Sequence, residues 1–159
     1  MSTSETPITQ RRAESLHAEH ERLLDHVEHI RVAALELPSL SPEERREILG
    51  RILDFLQSDL ATHAENEEHN LYPWIAGLLG DPRATAPMVY DHETIRHLTA
   101  RLKEASVNDV PLLQELLYGL HALITLHFRK EEELYQPLLD ADSADEQIII
   151  SGRNGYGDD

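Results

Sequence analysis

The sequence predicts an all-α protein, folded as an up-down-up-down antiparallel four-helix bundle. Strand signals are scarce: alternating β-branched runs are absent before Ile148, and only seven glycines occur in 159 residues. Helix formers dominate, and the prolines fall between hydrophobically periodic segments rather than inside them. The connections between those segments are short, which makes consecutive helices antiparallel neighbours. With 40% apolar and 28% charged residues, the chain has enough hydrophobe to close one core.

Residues 1–9 are polar and expected to be flexible. A first helix should run from Gln10 to Leu37 and stop before Pro38. Ser41-Pro42-Glu43-Glu44 opens the second: Ser41 caps, Pro42 takes the first helical position, and Glu44 returns the capping-box contact. That helix continues to Leu79, with Gly80 as its stop. Asp81-Pro82 repeats the signal for a third helix reaching Ala105, with an irregular turn at Pro87. Asn108 or Asp109, followed by Pro111, opens a fourth that ends near Asp140. The bundle therefore spans residues 10–141, and residues 142–159 form an acidic, glycine-containing tail. There Gly152, Gly155 and Gly157 oppose regular helix, so the tail reads as a loosely docked terminus. Its alternative role is to offer Ile148-Ile149-Ile150 to a partner protein.

Charge and composition exclude several functions. Thirty Asp and Glu against 14 Lys and Arg give a net charge of -16, a surface that repels phosphate backbones and argues against nucleic-acid binding. The absence of cysteine removes disulfides, thiolate zinc sites, iron–sulfur clusters and thiol nucleophiles. No run approaches the roughly 18 apolar residues of a membrane helix, and the start carries no apolar signal stretch. A cytoplasmic protein away from membranes is expected. Ten histidines are the one oddity.

Their placement reveals an internal repeat. His63-Ala64-Glu65-Asn66-Glu67-Glu68 leads to Tyr72-Pro73, and His127-Phe128-Arg129-Lys130-Glu131-Glu132 leads to Gln136-Pro137 at the same offsets. Upstream of each lies a matched pair, Glu19-His20 and Asp91-His92. In His-x-x-x-Glu the two side chains sit about 40° apart on one helix, one turn along its axis, so both can reach a single metal. Leu49, Leu53, Leu56 and Leu60 share the face of His63 and Glu67; Leu113, Leu116, Leu120, Leu123 and Ile124 share that of His127 and Glu131. These polar pairs thus point inward, where an unpaired carboxylate costs several kcal/mol and a cation resolves the cost. His20 lies in the stripe of Leu16, Leu23, Val27, Ile30 and Ala34, and His17 at its edge, as an extra ligand or a hydrogen-bond partner of one. His92 borders the stripe of Met88, Ile95, Leu98 and Leu102. His26, His29, His69, His97 and His121 face outward, and Glu68 and Glu132 point to the side or to solvent. A hydrogen-bonded polar core is the competing reading, but few cations are placed to satisfy it; Arg96, one turn after His92, is the main one. Six imidazole and carboxylate donors are too many for one catalytic zinc. They suit two first-row ions such as iron or manganese, with Glu67 and Glu131 placed to bridge.

This pattern resembles the haemerythrin-like, or HHE cation-binding, domain. The resemblance covers Ser15 to Leu139 and rests on Glu19-His20, His63-x-x-x-Glu67-Glu68 with Tyr72-Pro73, Asp91-His92, and His127-x-x-x-Glu131-Glu132 with Pro137. It implies a non-haem diiron centre, oxo- or hydroxo-bridged, held by His20, His63, Glu67, His92, His127 and Glu131. Manganese or zinc are the alternative metals. Oxygen-carrying haemerythrins have a second histidine where this chain has Arg96, and a final aspartate at a longer spacing where it has Glu131. The resemblance therefore implies a more open centre that binds or reacts with dioxygen, peroxide or nitric oxide. Peroxidase-like turnover is one form of this. Iron handling, including repair of iron–sulfur proteins or sensing, is a second reading, and a structural metal site a third. Tyr72 and Tyr135 are expected to pack at helix ends, with tuning of the site as the alternative.

Overall fold

The computed structural model describes residues 8–153 and is helical throughout its regular elements, with no strand among the described residues. Helix α1 (Ile8–Glu36) ends at a 3-10 turn, Leu37–Ser39, where Pro38 cannot continue the hydrogen-bond ladder. Helix α2 (Pro42–Gln57) opens with the expected capping box: Glu44 N donates to Ser41 Oγ, and Ser41 N donates to Glu44 Oε2 at 2.8 Å.

The second helix of the sequence reading is a segmented rod. It breaks at Ser58, whose hydroxyl donates back to the Asp54 carbonyl, a bond that bends helices. It resumes as α3 (Asp59–Asn66), widens into one π turn (Glu67–Leu71) and continues as α4 (Tyr72–Leu79). Pro73, near the start of α4, has no N–H to give the ladder, and the wide turn lies directly upstream of it. Gly80 closes the rod in the left-handed conformation, φ 67°, which glycine adopts without steric cost.

Asp81-Pro82 does not start the third helix. Residues 81–85 form turns, with the Asp81 carboxylate accepting from Arg83 N, and α5 (Ala86–Glu104) begins beside Pro87. Helix α6 (Val110–Leu134) is capped by Asp109, whose side chain accepts from Leu112 N. The chain breaks at Tyr135, ahead of Pro137, and resumes as α7 (Gln136–Arg153). So the helix ending expected near Asp140 and the non-helical tail expected from residue 142 are both corrected over residues 142–153. A lone Gly152 costs a helix only about 1 kcal/mol, and α7 is held along α1, with Leu139 fully buried beside Leu16. Gly155, Gly157 and the rest of the tail lie outside the described residues, as does most of the stretch 1–9.

Helix α1 packs on α2 and α6, and α5 packs on the same two, so the four rods of the bundle close around one interior. That interior has three layers. A large apolar core, including Leu23, Ile30, Leu56, Leu113 and Ile124, fills one end. A smaller cluster of Tyr72, Ile75, Met88 and Tyr135 fills part of the other. Between them lies a layer of buried His and Glu side chains. Among the described residues no helix is long and apolar enough to cross a membrane.

Candidate metal centre

Each rod delivers its polar residues to the same level. Helix α1 brings His20, α3 and the π turn bring His63 and Glu67, α5 brings His92, and α6 brings His127 and Glu131. All six are at most 4% exposed. Their donor atoms fall into two groups, each within 4.8 Å: His20, His63, Glu67 and Glu131, and Glu67, His92 and His127.

The two carboxylates lie between the histidine pairs. Glu67 Oε1 is 2.8 Å from His63 Nε2 and 3.7 Å from His20 Nε2, while Oε2 is 3.2 Å from His92 Nε2. Glu131 does the same in reverse, with Oε2 3.1 Å from His20 Nε2 and Oε1 3.5 Å from His127 Nε2. Yet His20 Nε2, His63 Nε2, Glu67 Oε1 and Glu131 Oε2 make no hydrogen bond at all, although none touches solvent. Close approach without bonding geometry means these atoms are aimed at a common point rather than at each other. Each orphaned buried polar atom costs about 1–3 kcal/mol unless something sits at that point. A cation fits: carboxylate oxygens with imidazole nitrogens, and no thiolate, are a ligand set that first-row metal ions accept.

A ring of outer carboxylates orients the imidazoles. His20 Nδ1 donates to Glu132 at 2.9 Å, His63 Nδ1 to Glu19 at 2.8 Å, His92 Nδ1 to Glu68 at 2.8 Å and His127 Nδ1 to Asp91 at 3.0 Å. A carboxylate can only accept, so Nδ1 carries the proton and Nε2 faces inward in every ring. The four bonds follow the repeat. His20 and His92 each reach the opposite half, to Glu132 and Glu68, whereas His63 and His127 each bond within their own half, to Glu19 and Asp91.

Glu68 and Glu132 are matched repeat positions whose helical phase points them to the side or to solvent; the structure corrects this. Their outward phase on one helix is what brings them to the back of the histidine on the neighbouring helix. Glu68 also accepts from Arg96 at 2.7 Å, so Arg96 reaches the site only through it. His17 is exposed and meets Glu132 at 3.3 Å rather than the interior. Tyr72 does more than pack a helix end: its hydroxyl donates to Glu131 Oε1 at 2.6 Å and lies 3.3–3.4 Å from Glu67 Oε2, His92 Nε2 and His127 Nε2. Tyr135 packs edge-on against Tyr72 and is buried. The histidines read as outward are exposed, except His121, which is half-buried beside Glu28.

Electrostatics in the metal-free chain follow from this crowding. Burial alone would lower the pKa of His20, but Glu131, Glu67 and Glu132 outweigh it and hold the pKa at about 10. His63 and His127 are raised against the same burial penalty, by Glu67 with Glu19 and by Glu67 and Glu131 with Asp91. Burial pushes the Glu67 carboxyl up, and four surrounding imidazoles bring it well below the usual carboxylate range. Without metal, protons thus occupy imidazoles where a cation would otherwise balance the charge.

The outer ring yields a prediction. Glu68→Ala frees the His92 ring and removes its Nδ1 acceptor, so metal affinity should fall about 10–100-fold with helix content unchanged. Metal titration followed by circular dichroism checks both; an unchanged affinity would return Glu68 to a bystander.

Comparison with known proteins agrees with this geometry. The family model described as the Hemerythrin HHE cation binding domain matches residues 12–139, most of the bundle. No curated protein and no solved structure matches the chain.

Proposed function

Because the chain belongs to the hemerythrin HHE cation-binding family, we propose that it is a non-haem diiron protein whose centre binds or reacts with dioxygen, peroxide or nitric oxide. The ligands are His20, His63, Glu67, His92, His127 and Glu131. The observation that carries this is the set of four orphaned donor atoms converging inside the bundle. Two carboxylates that each present one oxygen to each histidine pair support a count of two metals. The up-down-up-down topology is supported by register: Gln114 donates to the Ala34 carbonyl at one end of the α1–α6 contact, and Glu132 meets His20 at the other.

Bound iron would supply open coordination positions and electrons for small oxygen or nitrogen oxide species. The chain supplies the rest. The outer carboxylates hold four imidazoles as Nδ1–H tautomers, and Tyr72 keeps a proton on its hydroxyl, since burial and the Glu131 and Glu67 charges raise its pKa. Phe128 stacks on His20 at 4.3 Å and helps keep bulk water out. A cavity of about 480 Å³ between α3 and α5, lined by Leu60, Ala64, Ile95 and Phe128, ends at His63, His92 and His127. It offers a small uncharged molecule an apolar way in. Arg96, turned out to Glu68, adds no donor to the interior.

Anaerobic loading with ferrous iron, metal counting, and an absorption spectrum after exposure to air or peroxide test the reading. Two irons per chain with new near-ultraviolet absorption are expected. A colourless protein with one iron or none would overturn it.

A further inference from the structure

The internal repeat makes the two metal positions look alike in sequence, but the structure makes them different, and the difference rests on three independent observations. First, of the five buried side-chain polar atoms left without a hydrogen bond among the described residues, four belong to one position, His20 Nε2, His63 Nε2, Glu67 Oε1 and Glu131 Oε2, and the fifth is Gln136 Oε1. The counterpart atoms at the other position are engaged. His92 Nε2 and His127 Nε2 stand 2.9 Å apart, a hydrogen bond in which one of the two rings carries a second proton on Nε2. Tyr72 donates to Glu131 Oε1 and stands within 3.4 Å of Glu67 Oε2 and both of those nitrogens.

Second, the repeat is broken where it matters. Tyr72 corresponds to Gln136 in the second half. Gln136 gives an amide N–H to Asp140 on its own helix and leaves its buried Oε1 without a partner, so among the described residues the second half has no hydroxyl that donates to a site carboxylate as Tyr72 does. Third, the outer carboxylates are charged differently. Glu68 behind His92 pairs with Arg96, and Asp91 behind His127 pairs with Lys130. Among the described residues no Lys or Arg pairs with Glu19 or Glu132, behind His63 and His20; Glu132 pairs with His17 and His20, two of the four histidines of α1. A carboxylate already neutralised by a cation draws less on the imidazole proton, which makes that imidazole a weaker donor to metal.

We propose that the two positions are unequal by construction. The His20–His63 position is a preformed seat that fills first and keeps its metal. The His92–His127 position is a weaker seat that trades its metal with solution. Metal entering the first seat displaces only the His63–Glu67 and His20–Glu131 approaches, at 2.8 and 3.1 Å, whose atoms already converge on its position. Metal entering the second must part His92 from His127 and turn the Tyr72 hydroxyl away from Glu131. The cavity between α3 and α5 is lined by both histidines of the second seat and by only His63 of the first, so an entering molecule meets more of the exchangeable seat. This rests on the two-metal reading above and adds an order of filling to it.

Titration of the metal-free full chain with manganese(II), followed by calorimetry, tests the order. Two steps are expected, the first at least about tenfold tighter. Tyr72→Phe keeps the packed ring and removes the hydroxyl, so it should tighten the second step about threefold to tenfold and leave the first unchanged. Lys130→Met should move the second step the same way. His63→Ala should abolish the tight step, and His92→Ala only the weak one. Two equal steps, or loss of the tight step in His92→Ala, would overturn the inequality while leaving the two-metal reading intact. A weakened second step in Tyr72→Phe would make the phenol a ligand of that seat and overturn the account given of it. A wild-type chain that binds no manganese and no iron would remove both readings together.

Discussion

Replacing Glu67 by alanine is expected to leave the chain holding less than one equivalent of metal. Glu67 belongs to both candidate groups, and each of its oxygens faces a different pair of histidines. Its loss therefore removes a donor from both positions at once, whereas a histidine variant touches only one. The same substitution strips the metal-free chain of the carboxylate that raises His20, His63 and His127, so those imidazoles should release protons nearer their ordinary range. Helix content should survive, because Glu67 sits at a π turn between α3 and α4 and the large apolar core lies on other residues. Elemental analysis after gel filtration gives the metal count. Retention of two metals by Glu67→Ala would mean that the carboxylate does not bridge.

The second large effect is on stability against pH. In the metal-free chain, folding raises the pKa of His20 from 6.5 to about 10. The stabilisation this provides is full below 6.5 and is lost as pH climbs through 10. The Glu67 carboxyl, held low, behaves oppositely: its contribution is present above the ordinary carboxylate range and disappears as pH falls through the depressed value. Metal binds only the neutral imidazoles, so loading competes with those same protons and strengthens as they leave. The melting-temperature gap between loaded and metal-free chains should therefore be small near pH 5 and widen towards pH 8.5. At free metal about 1,000 times its Kd, binding adds about 4 kcal/mol, worth about 8–16 °C in a chain of this size. Scanning calorimetry with manganese or with chelator measures the gap. A gap that stays constant, or narrows as pH rises, contradicts a site built on these histidines.

Most of the site was legible because helical phase is local. His63 and Glu67, or His127 and Glu131, share a face with leucines on the same helix, and burying the leucines buries them. The matched offsets then identify the halves as equivalent. What sequence could not show was the neighbour. Glu68 and Glu132 point away from their own helix's inner face, and only the packing of α5 beside the π turn, and of α1 beside α6, turns that direction into a contact with His92 or His20. Tyr72 was hidden by a break in phase. In an unbroken helix it would lie about 180° from His63; the π turn absorbs one residue and swings the hydroxyl into the site. The signal that hints at this is Pro73, which obliges the ladder to open somewhere upstream. The continuation of α7 past Asp140 is masked in the sequence by three glycines, of which only Gly152 falls within the helix.

Anomalous scattering at the iron edge from crystals of iron-loaded protein tests the central claim most directly. The expected map shows two peaks inside the bundle, one among His20, His63, Glu67 and Glu131 and one among Glu67, His92, His127 and Glu131. Iron found only at the acidic surface, with the four inward nitrogens bonded to side chains or water instead, would contradict the account.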